Sequence, residues 1–345
     1  MASIGDVARL AGVSLGTASR VINDNPAVTP QLRERVLAAA AQLNYQPNAL
    51  ARALRSSRTH SIGLILPDVT NPFFGELAKQ VEQVAAGIHY TVMLANSNDD
   101  PKAEANYIKA LAARQVDGLL IVPCEETRSL PRDVKVPIVL VDRPLRGFSV
   151  VQCDHRGGAI SVVQHLVSLG HRRIGCIAGP KHLSVARERY EGYRHVAAPL
   201  YAESGLDFAA DTVVARFDYD CGYEAALKLL ARPDRPTAIF ASSDQQAIGA
   251  LRAAADLDLK VPGDVSIVGF DAITLAKLVT PRLTTVAQPI AAIADIAVRT
   301  VLHARESGAK VERHRLPTLL QPANSSGPNA AGNIVALTER AKSPR

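Results

Sequence analysis

From residue 61 to about residue 271, the sequence alternates short apolar runs with helical stretches. Eight runs rich in β-branched residues predict strands at 62–67, 90–97, 116–123, 137–142, 173–180, 212–217, 237–244 and 265–271. Helices are predicted at 74–87, 101–115, 156–169, 220–231 and 245–256. Near-continuous apolar strands that alternate with helices indicate parallel sheets covered on both faces. Because eight or more such units are too many for one small sheet, we expect two doubly wound lobes.

Polar residues follow several of the predicted strands directly. Ligands of doubly wound folds bind beyond the carboxyl ends of the strands. Those ends carry Asp68, Asn71, Asn96, Ser97, Asp142, Arg143, Phe217, Ser243, Asp244 and Asp271. Carboxylates accept hydrogen bonds from hydroxyl groups, and an aromatic ring covers an apolar face of a ligand. The pattern therefore predicts a site for a polyhydroxylated small molecule.

The first 58 residues have the pattern of short helices instead. Ser3 is placed to cap a first helix, which Gly12 ends because glycine adopts the left-handed conformation cheaply. The apolar positions of this helix recur at helical spacing, at Ile4, Val7, Ala8 and Ala11. Ser14 follows at once as the cap of a second helix. So tight a turn between two helices predicts a helix-turn-helix.

The second helix has one apolar face and one face suited to DNA. We expect Ala18, Val21 and Ile22 to pack inward, which leaves Leu15, Gly16, Ser19, Arg20 and Asn23 outside. That outer face has no acidic residue to repel phosphates, and an arginine can bridge O6 and N7 of guanine. The alternative is a solvated helix face in a small bundle, although such a face usually carries charges of both signs.

A third helix is predicted from the Thr29 cap and Pro30 to Tyr45, and a fourth, short one begins at 47–48. A helix of about eight residues is marginal alone in water. We expect it to form only when a partner copy and a DNA groove stabilise it. The alternative is a flexible linker, and both descriptions can hold in different states.

Charge and composition narrow the function further. Residues 1–58 carry seven arginines against three acidic residues, whereas the rest of the chain is nearly neutral. A compact basic segment indicates a module that binds a polyanion. The sequence has no apolar run long enough for a membrane span, no apolar leader and no metal-binding spacing of its histidines and cysteines. We therefore expect a cytoplasmic, nucleoid-associated protein with no metal, no cofactor and no membrane partner.

The residues named so far carry a resemblance to a known family. The segments IGDVARLAGVSLGTASRVIND and VTPQLRERVLAAAAQLNYQPNALARALRS are similar to the DNA-binding headpiece and hinge of the LacI/GalR family of bacterial transcription regulators. Later segments resemble the effector domain of that family, among them IGLILPDVTNPFFGEL, IVLVDRP, ERYEGYR, TAIFASSDQQAIGAL and VPGDVSIVGFD. That domain resembles type I periplasmic sugar-binding proteins, in which three crossovers join two lobes.

The resemblance implies a division of the chain. Residues 1–46 are expected to form the small all-α helix-turn-helix headpiece, and residues 47–58 the hinge helix or linker. Residues 59–320 are expected to form the α/β domain for effector binding and dimerisation. Its first lobe is placed at about 59–158 and 288–320, and its second lobe at about 159–287. Residues 321–345 are expected to form a flexible tail.

The resemblance also implies which residues contact DNA. Residues matching Leu15, Gly16 and Arg20 face base edges in the family, and Leu54 matches a residue that wedges into the minor groove of a kinked operator. Phosphate contacts are implied for Ser14, Thr17, Ser19 and Asn23, and hinge contacts for Asn48, Ala51 and Arg55. The sequence departs from the family at Gly16, which has no side chain to read a base.

Eight effector contacts are implied by matching motifs, namely Phe73, Phe74, Asp142, Arg189, Phe217, Ser243, Asp244 and Asp271. Each of these residues taken alone also has a purely structural explanation, since an aspartate at a strand end commonly caps a helix. Their convergence from separate strands makes the set more credible than its members. One departure is Ala272, which stands where a second acid is usual.

The sequence therefore predicts a regulator, more in keeping with a repressor than an activator, that a small effector switches. It is expected to act as a homodimer on operator DNA, with a sugar, a sugar derivative or a nucleobase between its lobes. The alternative is a sugar-binding protein of the periplasmic type, retained in the cytoplasm, without a regulatory role. An enzyme is not expected, because the sequence has no GxSxG elbow, P-loop or metal motif, and no catalytic residue is assigned.

Overall fold

The computed structural model describes residues 2–22, 25–45, 58–131, 133–308 and 311–329. The chain divides into two compact units, Met1–Thr59 and His60–Arg345. We call them the N-terminal unit and the C-terminal unit and describe each by itself. In the described parts of the chain, every helix is too short or too polar to span a lipid bilayer.

In chain order, the α-helices of the described residues are α1 Ile4–Ala11, α2 Leu15–Ile22, α3 Pro30–Gln42, α4 Pro72–Gly87, α5 Pro101–Ala113, α6 His155–Ser168, α7 Ser184–Ser204, α8 Tyr219–Leu230, α9 Asp244–Asp256 and α10 Ile290–Ser307. The strands are β1 Ser61–Leu66, β2 Thr91–Asn96, β3 Gly118–Ile121, β4 Ile138–Val141, β5 Ser149–Cys153, β6 Ile174–Ala178, β7 Thr212–Val214, β8 Ala238–Ala241, β9 Ser266–Val268, β10 Thr285–Ala287, β11 Arg313–Leu316 and β12 Leu319–Gln321.

The N-terminal unit is built from α1, α2 and α3. Ser3 and Asp6 form a capping box at the start of α1, and Gly12 ends that helix with a φ of 62°. The core consists of small residues from all three helices, with Val7, Ala18 and Val36 fully buried. The side chain of Arg35 donates to the carbonyl of Ala11 at 2.6 Å and so ties α3 to the end of α1.

The C-terminal unit contains two parallel sheets. Lobe 1 holds six strands in the order β11-β5-β4-β3-β1-β2, and lobe 2 holds four in the order β7-β6-β8-β9. The central strand β1 is buried at all six positions, as a strand covered on both faces must be. The edge strand β2 is exposed or half-buried at most positions. The predicted fold class is confirmed.

Three crossovers connect the lobes, between β5 and α6, between β10 and α10, and between β11 and β12. Helix α6 packs on α7 in lobe 2, whereas α10 packs on α4 and on strands of lobe 1. Strand β10 pairs with β12 antiparallel, and isolated bridges from Thr284 and Ala287 join this pair to lobe 2.

The expectation of a flexible tail from residue 321 is wrong for residues 321–329. Ser325 is fully buried, and its side chain donates to the carbonyl of Ile267 and accepts from the backbone N–H of Thr284. Its own N–H donates to the carbonyl of Arg282. This segment is therefore part of lobe 2, because its hydroxyl groups hydrogen-bond to strand ends there. Residues 330–345 lie outside the described residues.

Candidate functional site

A cavity of about 560 Å³ is lined by residues of both lobes. Lobe 1 contributes the ends of β1 and β4 and the start of α4, and lobe 2 contributes α7 and the loops that follow β7 and β9. Six of the eight predicted effector contacts line this cavity: Phe73, Phe74, Asp142, Arg189, Phe217 and Asp271. The carboxyl ends of strands from both sheets thus meet at one cavity, as the doubly wound fold requires.

Ser243 and Asp244 do not line the cavity. The Ser243 side chain caps α9 by accepting from the N–H of Gln246 at 3.2 Å. The buried Asp244 carboxylate accepts from Thr285 Oγ1 and from the N–H of Ile273. Burial raises the pKa of Asp244 well above its usual value. Both residues hydrogen-bond to groups within lobe 2 and are therefore not part of the candidate effector site.

Arg189 lies at the centre of the cavity wall that lobe 2 provides. Its Nη2 is 3.0 Å from Asp271 Oδ1, and its Nη1 donates to the carbonyl of Ser242 at 2.6 Å. The guanidinium also lies over the ring of Phe270, 3.9 Å from the centroid, and 5.7 Å from that of Phe217. Four neighbours hold this side chain in one orientation, which pre-organises its donors for a ligand.

Asp142, at the end of β4, connects to the same group through a histidine. His155 Nε2 is 3.2 Å from Asp142 Oδ1, and Arg189 Nε donates to His155 Nδ1 at 3.3 Å. Burial acts to raise the pKa of Asp142, but the contact with His155 and the charge of Arg189 outweigh it and hold that pKa below its usual value. Burial raises the pKa of Asp271, against the opposing effect of Arg189.

Two aspartates of the cavity have positive φ angles, which strain the backbone of a residue other than glycine. Asp142 has a φ of 66° and Asp271 a φ of 118°. The N–H of Asp142 donates to Val151 at 2.9 Å and that of Asp271 to Val286 at 2.8 Å, which fixes both positions. Backbone of this kind costs about 1–3 kcal/mol per residue and is concentrated at functional sites. The strain supports a binding role for both carboxylates.

The cavity also has an aromatic wall in lobe 1. Asn71 caps α4 by accepting from the N–H of Phe73 at 3.0 Å, which sets Phe73 and Phe74 at the first turn of the helix. The two rings lie edge to face with their centroids 5.3 Å apart. The guanidinium of Arg143 lies 5.6 Å from the centroid of Phe74. These rings offer an apolar surface opposite the polar side chains of lobe 2.

The charges that line the cavity are largely balanced in pairs. Its three arginines each lie within 4 Å of a carboxylate: Arg143 Nη1 of Asp99 at 3.8 Å, Arg189 of Asp271, and Arg216 Nε of Asp218 at 3.8 Å. Three further carboxylates, Asp68, Glu125 and Asp142, add negative charge. Among the described residues, no group of three His, Cys, Asp or Glu side chains is placed to hold a metal ion.

The second site lies on α2 in the N-terminal unit. Ala18 and Val21 are buried, whereas Leu15 is 57% exposed and Gly16 and Arg20 are exposed, so the helix has the two faces that its sequence predicts. Ser14 caps the helix by accepting from the N–H of Thr17 at 3.1 Å, and the two hydroxyl groups are 2.9 Å apart. Ser19 is half-buried. The predicted contacts at Asn23, Asn48, Ala51, Leu54 and Arg55 lie outside the described residues.

Comparisons with known proteins match both units of the chain. Residues 3–48 match the model of bacterial regulatory proteins of the lacI family, and residues 163–326 match that of the periplasmic binding protein-like domain. The chain is 38% identical to the ribose operon repressor of Escherichia coli K12 over 312 residues, which cover 88% of this chain and 93% of the repressor. The chain belongs to the lacI family of bacterial regulatory proteins.

Further relatives and solved structures extend this finding. The HTH-type transcriptional repressor PurR of Haemophilus influenzae is 36% identical over 308 residues, covering 88% of this chain and 90% of that protein. The crystal structure of the lac repressor dimer bound to operator and the anti-inducer ONPF matches with a TM-score of 0.82 at 26% identity, over 94% of this chain and 99% of that one. This lacI-family chain is a DNA-binding transcriptional regulator, and the non-regulatory alternative is not supported.

Sequence reasoning missed several cavity residues of this lacI-family domain. They are Asn98, Asp99, Glu125, Arg216, Asp218, Tyr219 and Gln245. Asn98 and Asp99 lie directly beyond the strand predicted at 90–97, so extending the strand-end rule by two residues would have found them. Asp99 Oδ1 accepts from the N–H of Glu125 at 2.8 Å, and burial raises its pKa. The same extension would have found Glu125, Asp218, Tyr219 and Gln245, which lie within two residues beyond the strands predicted at 116–123, 212–217 and 237–244. Arg216 lies inside the strand predicted at 212–217.

Proposed function

We propose that this chain is a repressor of sugar-utilisation genes that a neutral sugar, of the size and chemistry of a pentose, releases from operator DNA. Every arginine that lines the cavity is paired with a carboxylate, and this observation favours a neutral ligand. A phosphate or carboxylate group needs an arginine whose charge is not already balanced, and it would also approach Asp68, Glu125 and Asp142.

The cavity suits hydroxyl groups and a partly apolar ring. Asp142 and Asp271 accept from hydroxyls, Arg189 donates to them, and Phe73 and Phe74 cover the C–H face of a sugar ring. Because these groups come from both lobes, one bound ligand would bridge the lobes and favour one of their relative arrangements. A ligand shifts such an equilibrium by its differential affinity for the two arrangements.

The relatives support a pentose in particular. Three of them, from Escherichia coli, Halalkalibacterium halodurans and Haemophilus influenzae, are named ribose operon repressors. A lacI-family structure from Enterococcus faecium contains bound ribose and matches with a TM-score of 0.66 at 26% identity, over 78% of this chain. The structure of the transcriptional regulator CelR in complex with cellobiose matches with a TM-score of 0.69 at 30% identity, over 94% of this chain, so a larger neutral sugar is the second candidate.

For DNA binding we propose a homodimer on a pseudo-palindromic operator, with one headpiece in each half-site. The exposed face of α2 would enter the major groove, where Arg20 reads guanine and Leu15 contacts a thymine methyl group. Residues 47–58 would form the hinge, with Leu54 as the minor-groove wedge. We propose that the protein acts in the cytoplasm on chromosomal DNA and that it catalyses no reaction.

A ligand screen tests the effector. Purified protein is heated with D-ribose, D-xylose, L-arabinose, cellobiose, ribose 5-phosphate, gluconate or hypoxanthine, and hits are measured by isothermal titration calorimetry. A ligand that binds only the native state stabilises it by about 2.7 kcal/mol at 100 times its Kd. We expect a neutral pentose to raise the melting temperature most. A response only to the phosphate, the acid or the purine would overturn the neutral-sugar proposal.

A second experiment tests release from DNA. An operator is selected from a random pool of duplexes, and its binding is followed by fluorescence anisotropy with and without the sugar hit. We expect the sugar to weaken operator binding and Leu54→Ala to weaken it without sugar, with less DNA bending. Tighter binding with sugar would make the ligand a corepressor, which contradicts the proposed direction.

A further inference from the structure

His155 is the first residue of α6 and stands on the crossover that leaves β5. Its side chain is fully buried. On one side its Nε2 faces Asp142 of lobe 1, and on the other its Nδ1 receives Arg189 Nε of lobe 2. The ring therefore lies between two proposed effector contacts that belong to different lobes.

The hydrogen bond from Arg189 determines which nitrogen of the His155 ring carries the proton. A guanidinium can only donate, so Nδ1 must accept from Arg189 and cannot carry a proton. The proton of the neutral ring then sits on Nε2, 3.2 Å from Asp142 Oδ1. A second proton on Nδ1 would point at the Nε–H of Arg189 and remove that hydrogen bond. The neutral ring accepts the hydrogen bond from Arg189 and places its N–H close to Asp142 Oδ1, although that contact does not have the alignment of a hydrogen bond in this structure.

We propose that His155 is a positioning residue that links the lobes: its neutral ring holds Asp142 and Arg189 together in the arrangement that binds the effector. This inference rests on the proposed function, since it names how the same cavity is assembled. The ring itself does not line the cavity, so it would act on the effector only through those two side chains.

The ring of His155 is enclosed by side chains on several sides. From β4 it faces Asp142, from β5 it faces Cys153, whose Sγ is 3.4 Å from Nδ1, and from α7 it faces Arg189. Phe270 of lobe 2 lies 6.0 Å away between ring centroids, and Asp271 lies behind Arg189. The ring therefore packs between side chains that come from both lobes.

Three variants separate the two contacts of the ring. His155→Asn keeps an acceptor near Nδ1 for Arg189, His155→Gln keeps a donor near Nε2 for Asp142, and His155→Ala removes both. We expect the Ala variant to bind the sugar about tenfold more weakly, as for the loss of hydrogen bonds to charged groups. The Asn variant should recover most of the affinity, because it keeps the acceptor for Arg189. The Gln variant should recover less, because Arg189 stays without its acceptor.

A second inter-lobe histidine provides the matched control. His182 Nε2 is 3.2 Å from Glu125 Oε2, and the side chain is 41% exposed. We expect His182→Gln to weaken sugar binding much less than His155→Ala does. Equal losses of affinity in these two variants would overturn the inference. Unchanged affinity in all three variants at His155 would overturn it as well.

A measurement without ligand keeps this inference separate from the proposed function. In the wild-type protein with 15N-labelled histidine, the ring nitrogens of His155 are assigned by their loss in His155→Asn. At about pH 8 we expect the neutral Nε2–H tautomer. Finding the Nδ1–H tautomer would refute the bridge whether or not any sugar binds. If instead the tautomer is as expected and no sugar binds, the effector proposal fails and the bridge stands.

Discussion

Arg189 and Asp271 form a buried ion pair in lobe 2, with Nη2 3.0 Å from Oδ1 and side chains only 5% and 12% exposed. Helix α7 supplies the arginine, and the loop after β9 supplies the aspartate. The ion pair and the hydrogen bond from Arg189 to the carbonyl of Ser242 orient the donors and acceptors of both side chains. A sugar hydroxyl that binds there avoids most of the entropic cost of ordering side chains.

The first prediction concerns the stability that this pair provides. Asp271→Asn removes the carboxylate that pairs with the buried Arg189 charge, which costs about 3 kcal/mol of unfolding free energy. Urea denaturation followed by circular dichroism measures the loss. The same variant should also bind the sugar more weakly, because the strongest hydrogen-bond acceptor beside Arg189 is gone.

An exposed pair of similar geometry is the control for Asp271→Asn. Arg252 Nε lies 3.0 Å from Asp256 Oδ1, with side chains 73% and 35% exposed. Asp256→Asn should change the unfolding free energy by less than about 0.5 kcal/mol, since exposed ion pairs contribute little. Equal losses in the two variants would contradict the argument from burial.

The second prediction concerns base reading by α2. Arg20→Ala removes a side chain on the exposed face of the helix without disturbing the buried Ala18 and Val21. We expect it to weaken binding to the selected operator by about 1–3 kcal/mol and to relax specificity at one base pair, with a smaller effect on random DNA. Fluorescence anisotropy on both duplexes over a range of salt concentrations measures the difference.

Arg9→Ala is the charge-matched control for Arg20→Ala. Arg9 belongs to α1, its side chain is 82% exposed, and it lies 3.3 Å from Asp6. Its removal should affect operator and random DNA alike, as for a general electrostatic contribution. If Arg20→Ala also affects the two duplexes equally, then Arg20 contacts phosphate rather than a base.

Local sequence patterns predict the strands and helices whose formation depends mainly on neighbouring residues. The apolar runs give β1 to β4, β6, β8 and β9 within a few residues, because buried parallel strands need continuous apolar sequence. Helical spacing separates the buried Ala18 from the exposed Leu15 and Arg20 on α2. The same patterns give no sign of β11, whose sequence RHRL pairs with β5 across more than 150 residues.

The residues of the cavity are also only partly predictable from local sequence patterns. Strand ends predict Asp142 and Asp271, but the strand-end rule cannot distinguish a ligand contact from a helix cap such as Ser243, because both positions require a polar side chain. Nor does it find His155, which reads as an ordinary residue at a helix start. Its role depends on Arg189, a residue 34 positions away that only the tertiary fold brings near.

The third prediction concerns the segment 323–329, which belongs to lobe 2. Ser325 makes three hydrogen bonds to lobe 2, and His165 Nε2 lies 2.9 Å from Ser326 Oγ. A chain that ends at residue 322 should therefore lose more than about 3 kcal/mol of unfolding free energy, because the three hydrogen bonds of Ser325 alone contribute about 1 kcal/mol each. A chain that ends at residue 329 is the control, and we expect it to unfold at the wild-type urea concentration. Equal stability of the two truncated chains would mean that the segment adds nothing.

The fourth prediction is a pH dependence of stability that arises at His171. This ring is 2% exposed, with Nδ1 2.9 Å from Thr237 Oγ1 and Nε2 3.1 Å from the carbonyl of Gly327. Burial lowers its pKa below the usual 6.5, and burial lowers that of His165 as well. Below about pH 6.5 the unfolded chain binds protons that the native protein does not, so the unfolding free energy should fall as the pH is lowered.

His171→Gln tests whether His171 causes the pH dependence. The informative quantity is the slope of the unfolding free energy against pH rather than the size of that free energy. The variant loses hydrogen bonds and should be less stable at every pH, but its unfolding free energy should depend less steeply on pH between about pH 7.5 and about pH 5.5. His195→Gln is the control, since that side chain is exposed and its substitution should leave the slope unchanged. If the slope of His171→Gln matches that of the wild type, the ring binds protons equally in both states, and the acid sensitivity arises from another group.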